Sequence, residues 1–236
     1  MRVSVIIPAF NEEKSIPYVL NDIPNFVNQI IVCDNSSTDK TSEIAKNLGA
    51  KVVFEDKKGY GNACLKAISY LKNLKVKPEI VVFIDGDYSD DPKQMKKIID
   101  PIINKGYDFV LGARTKSLRD KYSMTAHQIF GNWLACTLMK IFFNSTFKDL
   151  GPFRAITWDK LMQLNMRDKT FGWTIEMQIK ALMKNYKYKE IAVKYKKRIG
   201  KSKISGTLNG SFLAGKKILY LIFKYYLKKR LGYDVN

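Results

Sequence analysis

The segment Ile80-Val-Val-Phe-Ile-Asp-Gly-Asp87 restricts the fold more than any other stretch of the chain. Its apolar, β-branched run has the length of a strand buried on both faces, and it stops abruptly at Asp85. A second carboxylate follows at Asp87, with Gly86 between the two acids allowing a tight backbone turn. Residues two apart on an extended chain face the same way, so both acids arrive together at the strand's C-terminal end. In an open α/β sheet that edge is where ligands bind. Two hard oxygen donors in one place suit Mg²⁺ or Mn²⁺, with phosphate oxygens completing the shell. Asp90 and Asp91 come next, directly before Pro92, and read as the start of the following helix.

The same grammar repeats along the first half of the chain. Strands are expected at Arg2–Ile7, Gln29–Cys33, Lys51–Phe54, Ile80 onward and Phe109–Leu111, each followed by a helical pattern. Helices are expected with Ile16, Val19, Leu20 and Ile23 inward, then with Leu65, Ile68 and Leu71 inward, then from Pro92 to about Asn104. This alternation predicts an α/β fold, a doubly wound, mostly parallel sheet with helices on both faces. Four strand ends carry polar punctuation: Asp34-Asn-Ser36, Lys58-Gly-Tyr-Gly-Asn62, the Asp85/Asp87 pair and Gly112-Ala-Arg114. Taken singly, the first two are ordinary turn chemistry. Gathered on one rim they suit a nucleotide: an acid for base or ribose, Gly59 and backbone N–H groups for close approach, and a metal with an arginine for a diphosphate. The spacing of Lys58-Gly-Tyr-Gly fits neither a P-loop nor a dinucleotide fingerprint, which argues against a nucleoside triphosphatase or a dehydrogenase.

Several motifs taken in order resemble family 2 glycosyltransferases of the GT-A fold, with a closer similarity to the dolichyl-phosphate mannose and glucose synthase branch. They are Pro8-Ala-Phe-Asn-Glu12, Asp34-Asn-Ser-Ser-Thr-Asp39, Asp85-Gly-Asp87, Gly112-Ala-Arg114, Asp149-Leu-Gly-Pro-Phe-Arg-Ala155, Phe171-Gly-Trp-Thr-Ile-Glu-Met177 and Arg198-Ile-Gly-Lys-Ser-Lys203. The resemblance implies an inverting enzyme that moves a hexose from a nucleotide diphosphate sugar to a polyprenyl or dolichyl phosphate. It implies a donor site from Pro8, Ala9, Glu12, Asp34, Ser36, Lys58, Gly59, Asn62, Asp85, Gly86 and Arg114, with Asp85 and Asp87 on the metal. An acceptor region would come from Asp149, Arg154, Trp173, Arg198, Ser202 and Lys203. The candidates for catalysis are Asp87, Glu176, Arg198 and Lys203. Glu176 also has a plainer role, as an acid in the first turn of a helix capped by Thr174. Likewise Gly151-Pro152 is an ordinary turn. Related mannose synthases carry two adjacent acids after the second strand. Here the pair is Asp34-Asn35, which moves the expectation from GDP-mannose toward UDP-sugars of the UDP-glucose type. Transfer to a hydroxyl, on a glycolipid or on a small acid such as glycerate, is the enzymatic alternative.

Charge and the second half of the chain bear on where such an enzyme works. The formal net charge is +19 over 236 residues, and from Lys184 onward 15 lysines and arginines face two acids. Such a tail suits nucleic acid, an anionic membrane or a phosphorylated substrate. The clustered acids of the predicted site count against a nucleic-acid-binding protein. Met124–Phe143 reads as a helix rich in large apolar residues, either packed in the core or lying at an interface. Its one histidine, His127, has no companion ligands and reads as structural. From Thr207 a second helix interleaves apolar residues with Lys216, Lys217, Lys224, Lys228, Lys229 and Arg230, a pattern suited to the surface of an anionic bilayer, with docking of an amphipathic helix on the chain's own domain as the alternative. Neither apolar run approaches the roughly 20 residues needed to span a bilayer. Cys33, Cys64 and Cys136 form no disulfide framework or zinc spacing, and the N-terminus reads as a first strand rather than a signal peptide. The expected organisation is a catalytic domain over 1–206, with a nucleotide-binding half to 114 and an acceptor half from 115, followed by an amphipathic helix over 207–236. The expected place is the cytoplasm, peripheral at the cytoplasmic face of the membrane.

Overall fold

A computed structural model describes residues 1–200 and 208–233. Ser202 and Lys203, two of the expected acceptor residues, lie outside the described residues. The elements in chain order are β1 (Val3–Ala9), α1 (Ile16–Asn21), β2 (Gln29–Asp34), α2 (Thr41–Asn47), β3 (Lys51–Phe54), α3 (Tyr60–Lys72), β4 (Ile80–Phe83), α4 (Met95–Lys105), β5 (Phe109–Ala113), α5 (Ala126–Phe143), β6 (Arg154–Thr157), α6 (Trp158–Leu164), α7 (Trp173–Met183), β7 (Tyr188–Ala192) and α8 (Leu208–Arg230). A short 3-10 turn over Pro92–Gln94 leads into α4. Asp91 caps it by accepting from the Lys93 N–H, as its position before a proline predicts.

The seven strands form one sheet in the order β3-β2-β1-β4-β6-β5-β7. Every pairing is parallel except those of β6, which runs antiparallel between β4 and β5. All seven residues of β1 and all four of β4 are buried, as both-faced apolar runs require. On one face, Ile6, Val81, Phe83 and Phe109 pack under α3 and α5 to α8. On the other, Val5, Ile7, Val82 and Val110 pack under α1, α2 and α4. The sequence-predicted two-faced layering is therefore present.

One feature differs from the sequence reading. Residues 149–154 read as a turn followed by Phe153 and Arg154. β6 is instead a central strand whose Arg154 pairs with Phe83 of β4 and Leu111 of β5. Of the two readings open for the C-terminal helix, docking on the chain's own domain is seen on the inner face of α8, which joins the main core through Leu221, Ile222 and Tyr225. The helix also stacks Tyr226 on Phe142 of α5, ring centroids 4.3 Å apart.

Register places the site. Ala9 of β1 is level with Asp34 of β2, and Ile6 is level with Phe83 of β4, so these C-terminal ends share a rim. The glycines of Lys58-Gly-Tyr-Gly admit a close approach of protein backbone. The Gly61 N–H donates to the Thr170 carbonyl at 3.3 Å and the Asn62 N–H to the Lys169 carbonyl at 3.0 Å. A Cβ at Gly61 would overlap the Asp168 carbonyl oxygen, whereas one at Gly131, in α5, meets nothing within 4 Å. Gly61→Ala is therefore expected to destabilise the protein by about 1–3 kcal/mol. Gly131→Ala should be neutral or stabilising by up to about 1 kcal/mol. Denaturant midpoints at unchanged m-value measure both, and equal effects of the two substitutions would contradict the packing described.

Candidate active site

The rim opens into a cleft of about 750 Å³ walled by residues from both halves of the chain. Pro8, Ala9, Glu12, Lys58, Gly59, Asp85, Gly86, Asp87, Arg114 and Arg198 all reach it. Gly86 fits because its nearest neighbours are Ile7, the Pro8 carbonyl and Ala9, so the turn between the acids rests on the end of β1.

The two carboxylates differ in surroundings. Asp85 accepts from the Tyr60 hydroxyl at 3.0 Å. Asp87 accepts from the N–H and hydroxyl of Ser89 at 2.9 and 2.6 Å, and its other oxygen lies 3.2 Å from Arg198. The Arg198 guanidinium also donates to Glu12 at 2.7 Å, and Ser15 holds the far oxygen of Glu12 at 2.8 Å. The backbone follows the charges: the Ile199 N–H donates to the Asp87 carbonyl and the Lys196 N–H to the Ser89 carbonyl. Residues 196–199 thus lie directly over the acid turn. Burial, then the neighbouring Asp87 charge, pushes Asp85 from its ordinary 3.8 up to about 7.

Asp90 does not start the helix. It is buried with neither carboxylate oxygen hydrogen-bonded, and burial followed by the charges of Asp85 and Asp87 pushes its carboxyl well up. The helix start is left to Asp91 because Asp90 turns inward, where its backbone bridges to Tyr195.

Other expected residues are tied up elsewhere. Arg114 reaches the cleft, yet its guanidinium is clamped in a two-pronged pair with Asp149 at 2.7 and 2.8 Å. That pair holds the Asp149 carboxyl down against its burial. Arg154 is fully buried and donates to the carbonyls of Thr174, Leu150 and Gly151, and burial pulls its guanidinium down to about 10. Trp173 is in the core against Phe83. Asp34 accepts from the Ser37 N–H and the Ser42 hydroxyl, and Ser36 donates to the carbonyls of Glu55 and Asp56. Asn62 donates to the Lys58 carbonyl.

Glu176 lies behind the cleft. It accepts from the N–H groups of Arg167 and Asp168 and from the Tyr225 hydroxyl, and it pairs with Lys180 at 2.9 Å. The residue preceding its helix is Gly172, and Thr174 makes no cap. His127 is exposed beside the Thr125 hydroxyl at the start of α5.

No site role was expected for Tyr60 or Tyr195, and Asn35 entered only as the departure from a second acid after β2. Asn35 pins the Lys58 loop, donating to the Glu55 and Lys57 carbonyls and accepting from the Gly59 N–H. Tyr60 was readable only as the filler between two glycines. Tyr195 stands 5.3 Å under the Arg114 guanidinium and has no motif around it.

Glycosyl transferase family 2, compared as a family profile, matches residues 4–192. The chain belongs to that family. Family 2 members transfer sugars, and this chain is accordingly a glycosyltransferase. It is 33% identical over 215 residues to an uncharacterized glycosyltransferase of Mycobacterium tuberculosis, covering 90% of this chain and 94% of that one. With the dolichyl-phosphate hexose transferase of Haloferax volcanii it shares 30% identity over 221 residues, 92% of each. Among solved structures, glucosyl-3-phosphoglycerate synthase of Mycobacterium tuberculosis, crystallised with Mn²⁺, UDP and phosphoglyceric acid, superposes with a TM-score of 0.76 at 19% identity. That match covers 95% of this chain and 78% of the synthase. The fold is thus the GT-A-like α/β arrangement.

The raised Asp85 carboxyl generates a pH prediction. A carboxyl held higher in the folded than in the unfolded state binds its proton more tightly when folded. It therefore withdraws stability as pH rises from about 4 to about 7. With EDTA present, Asp85→Asn should match wild type below about pH 4 and gain on it across that window. The gain should level off near pH 8. Thermal melts across the pH range measure it, and a difference independent of pH would contradict the assignment.

Proposed function

We propose that this glycosyltransferase moves a hexose from a UDP-sugar to a polyprenyl phosphate at an anionic membrane surface, with a divalent cation at Asp85 and Asp87. The observation that carries the reading is the pairing, in one cleft, of two clustered carboxylates with a cationic wall of Lys58, Lys197 and Arg198. A nucleoside diphosphate needs both: acids that hold its cation, and cations that answer its own oxygens.

The residues present fit Mg²⁺ or Mn²⁺. Asp85 and Asp87 are hard donors on one turn, and the raised Asp85 carboxyl and unpartnered Asp90 mark negative charge short of a counter-ion. Among the described residues no cluster of three or more His, Cys, Asp or Glu side chains is arranged to hold a cation. Two protein carboxylates completed by diphosphate oxygens and water are the usual arrangement for Mg²⁺. The cation would stabilise charge growing on the departing diphosphate. Arg198 bridges Glu12 and Asp87, and from that position it would answer the oxygens of a diphosphate.

In the transfer an acceptor phosphate oxygen attacks the anomeric carbon, and the bond from that carbon to the diphosphate oxygen breaks. The nucleoside diphosphate leaves with the electron pair, and a single displacement inverts the anomeric centre. A phosphate monoester has its second pKa near about 6, so the nucleophile is already anionic at neutral pH. No general base is required, which agrees with the position of Glu176 outside the cleft. Support for a lipid acceptor comes from the Haloferax volcanii relative. A second relative is the UDP-N-acetylglucosamine–dolichyl-phosphate N-acetylglucosaminyltransferase of Methanococcus voltae, 32% identical over 149 residues and covering 55% of this chain and 59% of that one. UDP in the solved structural neighbours supports the donor nucleotide.

The membrane reading rests on α8 and α5. The outer face of α8 exposes Leu213, Tyr220, Phe223 and Leu227 with Lys216 and Lys224 among them, while its inner face is packed on the protein. Beside it, α5 exposes Phe130, Trp133 and Ile141. Apolar residues flanked by lysines suit the headgroup region of an anionic bilayer. Among the described residues no helix is long and apolar enough to cross a membrane.

A panel of UDP-glucose, UDP-N-acetylglucosamine and GDP-mannose, each with Mn²⁺ and a polyprenyl phosphate, tests the reaction. One UDP-sugar should yield a lipid-linked sugar phosphate, and Asp87→Asn should lower kcat/KM by about 10²–10³. Absence of lipid-linked product with every donor would overturn the proposal. For the membrane, Leu213→Ser/Leu227→Ser should cut sedimentation with anionic vesicles about tenfold while leaving Tm within about 3 °C, since both side chains are exposed. Unchanged sedimentation would overturn that part alone. Glu176→Gln should lower Tm by several degrees while leaving kcat within about threefold, because it breaks a buried ion pair and lines no part of the cleft, and a loss of turnover at unchanged Tm would contradict this.

A further inference from the structure

A second cavity lies between α8 and the segment 167–172 that joins α6 to α7. It is about 280 Å³, smaller than the roughly 300–1,000 Å³ typical of drug-sized ligands. Five cations line it, Arg167, Lys169, Lys217, Lys224 and Lys228, against two acids, Asp168 and Glu176.

Both acids are already satisfied from inside the protein. Glu176 is held by Lys180, Tyr225 and two backbone N–H groups. Asp168 accepts from the N–H groups of Thr170 and Gly172, each at 2.9 Å, and pairs with Lys217 at 3.0 Å. Arg167, Lys169, Lys224 and Lys228 are left without an acid partner among the described residues. Their repulsion is felt beneath the cavity: after burial, the charges of Arg167 and Lys228 also hold the Lys180 ammonium below its ordinary value. Four cations around a small concavity, with both of its acids already paired and the hydroxyls of Thr170 and Tyr220 beside them, offer many donors and no free carboxylate. That is the complement of a compact anion with several oxygens.

We infer that this cavity binds a phosphate group, carried by a lipid headgroup or free in solution, and that its occupancy is coupled to the donor cleft through residues 167–172. The coupling is physical contact. Thr170 lines both cavities and Phe171 lines the cleft. The carbonyls of Lys169 and Thr170 receive the N–H groups of Asn62 and Gly61, so the start of α3, with Lys58 and Tyr60 beside it, rests on this segment. On the other side a Cβ at Gly172 would overlap Leu221 of α8, which shows how closely the helix backs the segment. A phosphate drawing Arg167 and Lys169 toward Lys224 and Lys228 therefore fixes the floor on which the Lys58 loop sits. The inference concerns binding and does not depend on which sugar or acceptor the cleft uses.

The test uses the full chain and reads binding rather than turnover. Inorganic phosphate is titrated calorimetrically into wild type, Lys224→Glu/Lys228→Glu and Lys58→Glu, in phosphate-free buffer at about 0.15 M ionic strength. Sedimentation with phosphatidylcholine vesicles is compared for phosphatidic acid and for phosphatidylserine at matched surface charge. If free phosphate suffices, wild type and Lys58→Glu bind it, and the double variant binds at least about tenfold more weakly. If the source is a headgroup, phosphate gives no heat, but wild type prefers phosphatidic acid and the double variant loses that preference. In either case the occupying ligand should slow amide exchange over 59–63 and 167–172. Neither form of binding, binding unchanged in the double variant, loss in Lys58→Glu instead, or unchanged amide exchange would overturn the proposal. Circular dichroism of the double variant checks its fold, which the exposed position of Lys224 and the half-buried position of Lys228 favour.

Discussion

The site is built around negative charge that the sheet itself cannot neutralise. β4 carries the chain through the core to a turn that sets Asp85 and Asp87 side by side, with Asp90 buried behind them. Low dielectric there makes each unpaired carboxylate costly. One nearby cation, Arg114, is already committed to Asp149. Among the described residues it is Arg198 that pairs with Asp87, and residues 196–199 are laid over the acid turn by that attraction and by two backbone hydrogen bonds. The proposed cation and diphosphate fit the same deficit, so the electrostatics that position the loop also prepare the cleft.

A second dependence is steric. The glycines at the start of α3 let the backbone of residues 168–170 approach, and that segment is in turn held by buried Glu176 and backed by α8. The cleft wall at the start of α3, the segment joining α6 and α7, and the basic C-terminal helix thus form one contiguous stack. A helix that exposes apolar and basic residues outward is mechanically continuous with the floor of the cleft.

How much of this was legible depended on whether a signal was local. β1, β4 and α3 have clean apolar patterns because the sheet's two faces and the helix's one face demand them. Asp85, Asp87 and Lys58, which line the cleft, could be singled out because each sits on a sequence-local turn at a strand end, and Arg198 because it lies in a basic loop that the family resemblance marks. β6 was missed: it is four residues long, follows a Gly-Pro turn, and takes its strand conformation from β4 and β5 on either side. Arg154 and Trp173 looked like site residues by motif. The fold uses the first to satisfy carbonyls and the second to fill the core.

The sequence by itself determined the alternation of strands and helices, the buried run of β4, the acid pair at its end and the excess of positive charge toward the C-terminus. These follow from periodicity, from steric preferences of single residues and from counting, all of which act over a few positions. Only the tertiary structure decided which charges are free to act. Arg114 met Asp149 from 35 residues away, Glu176 met Lys180 and Tyr225 behind the cleft, and Arg198 reached Asp87 and Glu12 across more than 100 positions. Pairing of charges is a property of distance in space, and no local pattern records it.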